Sequence, residues 1–409
     1  MAPISNSPVY QTLSLPDQAE RADLRIAFVH EWFTTYAGSE KVLEVMVSEF
    51  PDADLFSLID RLNPQQRGGL SGRKVTTTFL NRIPFVQKFY RNLLPLMPFA
   101  IEQLDMSKYD VIISNSHAVA KGVITGPDQL HICYCYTPMR YAWDLQTQYL
   151  VESGISRGLR SILARYFLHH IRIWDQRSAQ GVDYFAACSH YIGRRIKKAY
   201  NRESTVIYPN VDTKKFVPGP KKDDFYLTSS RMVPYKKIHL IVEAFSQLPD
   251  KRLVVIGDGP QFKRIKALAG PNVSILGYQQ FPVLLDHMQR ARAFVFAAEE
   301  DFGITPLEAQ ACGTPVIAFG RGGATETVLD KVTGLHFYEQ SASAIIEAIH
   351  AFENLETPLD PEAVRAHAIK FSTERFRMEF TNFVRQCMQS HASQKGNLLQ
   401  EDQRPNRSV

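Results

Sequence analysis

The chain has 409 residues, 44% of them hydrophobic and 22% charged, with a net charge of +5. That length favours two or three domains, and the composition is that of an ordinary globular protein. No run approaches the roughly 18 apolar residues of a membrane-spanning helix, and the charge is too mild for a nucleic-acid footprint, though it suits an anionic substrate or membrane surface.

Residues 1–23 carry no basic and apolar leader pattern and read as a disordered, Pro-containing lead. Short β-rich runs then alternate with helical patterns. Strands are expected at Leu24–His30, Ala53–Ile59, Lys74–Phe79, Asp110–Asn115, His131–Tyr136, Tyr184–Cys188 and Thr205–Tyr208. A Pro-, Lys- and Asp-rich stretch, Pro209–Asp224, follows without apolar periodicity and reads as a linker with its hinge near Asn210–Pro220. A second series begins at Phe225–Ser230 and continues through Arg252–Ile256, Val273–Leu276, Ala293–Ala298, Pro315–Phe319 and Leu335–Tyr338. Strand–helix alternation predicts parallel sheets with helices on both faces, so the chain reads as α/β with two Rossmann-like domains. The expected units are 24–209, a linker 210–224, 225–371, a last helix near 372–390 and a disordered tail 391–409. Cys133, Cys135, Cys188, Cys312 and Cys387 show no zinc or redox spacing and read as small buried hydrophobes.

Ligands of open α/β sheets bind at the carboxyl ends of the strands, so the residues just after each strand matter most. In the first half, His30-Glu31-Trp32 leads to Ala37-Gly38-Ser39-Glu40-Lys41 at a helix start, where Gly38 would let a ligand approach; Glu40 and Lys41 read as helix surface. His117 follows the strand Asp110–Asn115 and faces the crevice, although a lone histidine is as readily a structural residue. Tyr134 to Asp144 is aromatic-rich. Tyr136 and Tyr141 could stack on sugar rings and Arg140 could meet a phosphate, or the same residues could open a helix with core aromatics. Arg82–Leu104 and Arg157–Arg177 look like basic amphipathic helices, suited either to a core or to an anionic membrane.

In the second half, Arg231 and Lys236 follow a strand at a spacing of five and suit a diphosphate. Gly257-Asp258-Gly259 and Gly277-Tyr278 read as turn scaffold first. Gly320-Arg321-Gly322-Gly323 opens a helix carrying Glu326, which fits an anion loop or a favourable helix dipole. Between these stands Ala297–Gly313, AAEEDFGITPLEAQACG, which places Glu300 and Glu308 eight residues apart in one strand-to-helix turn. Both carboxylates can accept hydrogen bonds from a polyhydroxylated ligand. Thr305-Pro306-Leu307-Glu308 is also a capping box, which would give Glu308 a purely local role but leaves Glu300, Phe302 and Gly303 without one. A glycoside hydrolase could use two carboxylates, but it would leave Arg231 and Lys236 idle.

The Glu-x7-Glu spacing with Phe-Gly after the first Glu, the Arg-x4-Lys pair and Gly322 to Glu326 together resemble retaining family 4 glycosyltransferases of the GT-B fold. The opening IAFVHEWFTTYAGSEKVLEVM and the stretch from Asn115 to Asp144 resemble bacterial WbaZ-type mannosyltransferases of O-antigen and exopolysaccharide assembly. The resemblance covers about residues 24–390. It implies two domains facing across a crevice, with a C-terminal helix crossing back onto the first. It implies donor contacts from Gly38, Arg231, Lys236, Glu300, Phe302, Gly303, Ile304 and Glu308, catalytic roles for Glu300, Arg231, Lys236 and His117, and acceptor contacts from Tyr136, Arg140 and Tyr141. The implied donor is GDP-mannose, and the implied acceptor a saccharide on undecaprenyl diphosphate at the inner face of the cell membrane. No Asp-x-Asp or metal triad is evident, so no metal or other cofactor is expected. Two departures stand out: Ala37 and Lys237 occupy positions where the family usually has Gly.

Overall fold

The computed structural model describes residues 24–402, with side chains through 395; the lead 1–23 and residues 403–409 lie outside the described residues. The chain forms two all-parallel sheets. The first is ordered β3-β2-β1-β4-β5-β6-β7 and the second β10-β9-β8-β11-β12-β13. The first comprises β1 Ile26–Phe33, β2 Asp54–Asp60, β3 Val75–Thr77, β4 Val111–Ser116, β5 Leu130–Cys135, β6 Tyr184–Ala187 and β7 Thr205–Val206. The second comprises β8 Tyr226–Ser229, β9 Leu253–Ile256, β10 Val273–Gly277, β11 Ala293–Phe296, β12 Val316–Phe319 and β13 Gly334–Phe337. Each expected strand is present. The central strands β4, β5, β9, β11 and β12 are buried along their whole length, as a sheet covered on both faces requires, which is why they read as continuous apolar runs.

Both sheets reverse their strand order once, between β1 and β4 and between β8 and β11. Such a switch point opens a crevice at the strand ends. Glu31 and His117 belong to the first of these places. Arg231 and Glu300 belong to the second.

The last helix, Thr373–Asp402, lays Phe376 and Phe380 on Tyr134 of β5, with ring centroids 6.0 and 6.4 Å away, and so crosses back onto the first sheet. It continues past residue 390, through part of the stretch read as a disordered tail. Arg375 ties the crossing together by donating to the carbonyls of Tyr208 (2.8 Å) and Pro209 (3.1 Å).

Arg82–Leu104 does not form the expected amphipathic helix. It is a series of 3-10 turns followed by a short helix, Met97–Ile101. Pro84, Pro95 and Pro98 explain this, because each lacks an N–H and clashes with the preceding turn. Arg157–Arg177 does largely form a helix, Leu159–Ser178, but few of its side chains are buried. All five cysteines are buried and free.

Candidate active site

The turn after β11 is built differently from a capping box. Helix Ile304–Ala311 starts two residues earlier than that capping box would place it and takes Gly303 as its N-cap, at φ 96°, a conformation that favours glycine. Thr305 therefore lies inside the helix, and no side chain caps it. Glu308, 7% exposed, does not reach back along its own helix. Its carboxylate accepts from Lys41 Nζ at 3.3 Å, across the crevice. Lys41, read as helix surface, thus brings a cation of the first domain to the second. Nothing in its neighbours in sequence marks it, since the partner is 267 residues away.

Glu300 forms an ion pair with Lys236. The two come from the ends of β11 and β8, on either side of the switch point. The backbone of Glu300 is fixed by the Gly-rich loop: its carbonyl accepts from Gly323 N at 2.7 Å, and a Cβ on Gly322 would stand 2.5 Å from the same oxygen. That loop therefore buttresses Glu300. Gly257 to Gly259 does the same for the Arg231 turn, with Met232 N donating to Asp258 O at 2.9 Å. Arg231 itself is exposed toward solvent. Burial and the Arg140 guanidinium push Lys236 down to about 7, with Asp301 acting against them. The Glu300 carboxylate in contact with Lys236 favours its charged form.

Lys237 stands at φ 54°, in the left-handed region, which suits the glycine that the resemblance implies here. Its ammonium meets Glu152 of the first domain at 3.1 Å. Ala37, by contrast, is extended at φ −131° and fits without strain. Gly38 beside it brings the first domain within reach of Ile304, whose Cδ1 would lie 3.2 Å from a Cβ on that residue.

In the first domain, Glu40 is buried rather than on the surface. It accepts from Ala37 N at 2.9 Å and meets His30 Nε2 at 3.2 Å, pinning the Gly38 loop from below. His30 Nδ1 faces Asn115 Oδ1 at 3.2 Å, and Asn115 Nδ2 donates to Tyr136 OH at 3.2 Å. Tyr136 donates on to Ser39 O at 3.1 Å, so this expected acceptor residue also braces the loop. Tyr141 packs edge-on against Tyr149, with centroids 6.1 Å apart. His117 packs edge-on against Trp32 at 5.0 Å. Burial holds His117 below its ordinary value, with Glu31 acting against it.

Two expected contacts take other roles. Arg140 pairs with Asp301 and packs over Tyr235, so it locks the domains together instead of lying open to a phosphate. Phe302 is 4% exposed and stacks on Tyr208 at 5.6 Å, leaving no ring face for a donor. Asp301 also meets Arg195 at 3.2 Å, and Arg195 in turn pairs with Asp144. Glu326 caps a helix of the other domain: its carboxylate accepts from His190 N and Tyr191 N, both at 2.8 Å, at the start of His190–Tyr200. Asp301, Arg195 and the capping role of Glu326 carry no local signature, because each is defined by a partner on the other domain.

The charges thus converge on one crevice. Arg140, Glu152 and Lys41 of the first domain meet Asp301, Lys237 and Glu308 of the second there. Among the described residues, no group of three or more His, Cys, Asp or Glu is placed to hold a metal ion.

Residues 210–371 match the family model described as glycosyl transferases group 1. A GDP-mannose-dependent monoacylated alpha-(1-6)-phosphatidylinositol monomannoside mannosyltransferase of Corynebacterium glutamicum is 30% identical over 239 residues. That match covers 50% of this chain and 62% of the relative, less than two thirds of its length. The crystal structure of Anabaena Alr3699/HepE in complex with UDP and glucose superposes with a TM-score of 0.64 at 17% identity, over 88% of this chain and 100% of that one. Sucrose-phosphate synthase from Thermosynechococcus elongatus superposes with a TM-score of 0.64 at 18% identity, over 90% and 100%. The chain has the GT-B fold, and residues 210–371, its second domain, are similar to the glycosyl transferases group 1 family.

Proposed function

We propose that this chain is a retaining glycosyltransferase that moves mannose from GDP-mannose onto a saccharide carried by a lipid diphosphate, undecaprenyl diphosphate, in surface polysaccharide assembly. The observation that carries the reading is the Lys236–Glu300 pair at the second switch point, in the same strand-to-helix turn as Glu308, which meets Lys41 across the crevice. Cations and carboxylates are already paired there, so a nucleotide sugar can exchange with them. Its diphosphate takes Lys236 and Arg231, its ribose takes Glu308, and its sugar hydroxyls take Glu300. Donor and acceptor then share one face of the sugar. The departing diphosphate accepts the acceptor's proton while Lys236 and Arg231 balance its growing charge. The mannose specificity rests on the GDP-mannose-dependent relative.

Cations and helix N-termini do here what a metal would do. Transfer is therefore expected to persist in excess EDTA with GDP-mannose and a lipid-diphosphate-linked saccharide. Loss on chelation with recovery on Mg²⁺ or Mn²⁺ would count against this part of the reading. A parallel assay with UDP-hexoses tests the donor.

A lipid-linked acceptor places the protein at the inner face of the membrane, held peripherally. No helix among the described residues is long and apolar enough to cross a membrane. Helix Leu159–Ser178 offers the contact: Leu159, Ile162, Leu163, Tyr166 and Phe167 are exposed beside exposed Arg157, Arg160 and Arg165. Arg172 does not belong to that surface, because it donates to Ala142 O at 2.7 Å. Reversing Arg157, Arg160 and Arg165 to Glu should release the protein from anionic vesicles at low salt while GDP binding is unchanged. Equal sedimentation with neutral vesicles would defeat the electrostatic part, and a parallel fall in GDP affinity would show that these arginines do not act on the membrane alone.

A further inference from the structure

Glu31 is fully buried at the switch point of the first sheet, where an open α/β fold usually holds part of its ligand. Its carboxylate accepts from Ser116 Oγ at 3.0 Å and from four successive backbone N–H groups: His117 at 3.0 Å, Ala118 at 2.7 Å, Val119 at 2.9 Å and Ala120 at 3.1 Å. Consecutive N–H groups turned inward form a concave anion site. Left empty in the interior, each would be a buried donor without a partner, which is costly. We propose that Glu31 is the resident anion of this nest, a positioning residue that fills with its own carboxylate the place where such a sheet would hold a ligand anion, and so fixes the turn carrying His117.

Three features support the assignment. The donors are contiguous and belong to the segment that begins with His117, so the nest and the histidine are one unit. The site is sealed: Glu31 and Ser116 are buried, and the ring of Trp32, next in sequence, packs on His117. Burial works against the Glu31 charge, yet His117 and the N–H groups of Val119, Ala120 and Ala118 hold its carboxyl below the usual range. An ionised carboxylate is thus the stable occupant. The consequence is a division of labour. The first domain's own nest is closed to phosphate, so the donor diphosphate is left to Arg231 and Lys236. The inference rests on the proposed transfer reaction only for the role of His117; the nest itself does not depend on it.

The test combines Glu31→Gln, Glu31→Asp and Glu31→Ala with nitrogen-15 NMR of the His117 ring. The groups acting on that ring are Glu31, His30, Glu40 and Arg140. Removing the anion in Glu31→Gln should lower the His117 titration midpoint by about one unit or more, and Glu31→Asp should restore it. In the transfer assay Glu31→Gln should lower kcat on the order of 100-fold, as misplacement of a site group does, with KM for the donor within about twofold. Formate at tens of millimolar should restore thermal stability and the His117 spectrum to Glu31→Ala, and chloride should not. An unchanged His117 midpoint in folded Glu31→Gln would overturn the proposal. So would unfolding of Gln and Ala variants that formate does not reverse, since that assigns Glu31 to the core alone. If wild-type protein transfers no sugar, the proposed function fails, while the NMR and formate results still decide the nest.

Discussion

Glu300→Gln is expected to reduce transfer on the order of 100-fold or more while the protein stays folded, the scale found when one preorganised polar contact to a reacting group is removed. The glutamine keeps the shape but loses the charge that faces both Lys236 and the donor hydroxyls. A pH signature should accompany the loss. Burial and Arg140 already push Lys236 down to about 7, and the variant takes away a carboxylate that favours its charged form. Nucleotide affinity in the variant should then fall as pH rises through 7 and recover in mild acid. Stability should run the other way. A lysine whose folded value lies below its unfolded 10.5 releases its proton on folding, so the variant gains stability between 7 and 10.5. Isothermal titration with GDP across pH 6 to 9 checks the first effect, and thermal unfolding the second. Wild-type turnover in Glu300→Gln would remove Glu300 from the site.

Asp301→Asn should open the crevice. Asp301 neutralises Arg140 and Arg195 together, with the three side chains only 13%, 18% and 9% exposed. Breaking a largely buried pair from one side leaves its partner uncompensated, so a loss of about 2–3 kcal/mol is expected after allowance for partial solvent access. Arg195 keeps Asp144 and Thr137 at 2.8 Å, so Arg140 bears most of the cost. Small-angle scattering should show a larger radius of gyration in the variant, reduced again by saturating donor. An unchanged radius and an unchanged melting temperature would show that the Asp301 pairs do not hold the domains.

The strands, both sheets and the two-part architecture were legible because fully buried parallel strands write themselves as short continuous apolar runs. The positions of Arg231, Lys236, Glu300 and Glu308 were legible for a related reason: each follows a strand or lies in a helix start at the carboxyl ends of the strands. What was not legible lay across the crevice. Glu308 looked like half of a capping box because the local pattern is complete. Only the left-handed Gly303, which caps the helix two residues earlier than Thr305 would, shows that its carboxylate is free to meet Lys41. Arg140 read as a phosphate ligand and Phe302 as a donor contact, since sequence gives no hint that Asp301 and Tyr208 cover them. Glu31 drew no notice because a glutamate inside a strand carries no periodic signal, and its partners lie 85 to 89 residues away. The two arginine-rich stretches looked alike in pattern, and prolines alone decided that one of them would not become a helix.

The central claim is that Lys236 and Glu300, at the second switch point, grip a nucleotide sugar. The most direct measurement is the thermal shift of wild type, Lys236→Met and Glu300→Gln with GDP-mannose, GDP and UDP-glucose. A ligand at 100 times its Kd stabilises the state it binds by about 2.7 kcal/mol. The account expects GDP-mannose to raise the wild-type melting temperature well above the other two ligands, with little or no rise in Lys236→Met and a weakened one in Glu300→Gln. No stabilisation of wild type by any nucleotide sugar, or equal stabilisation of all three proteins, would contradict it.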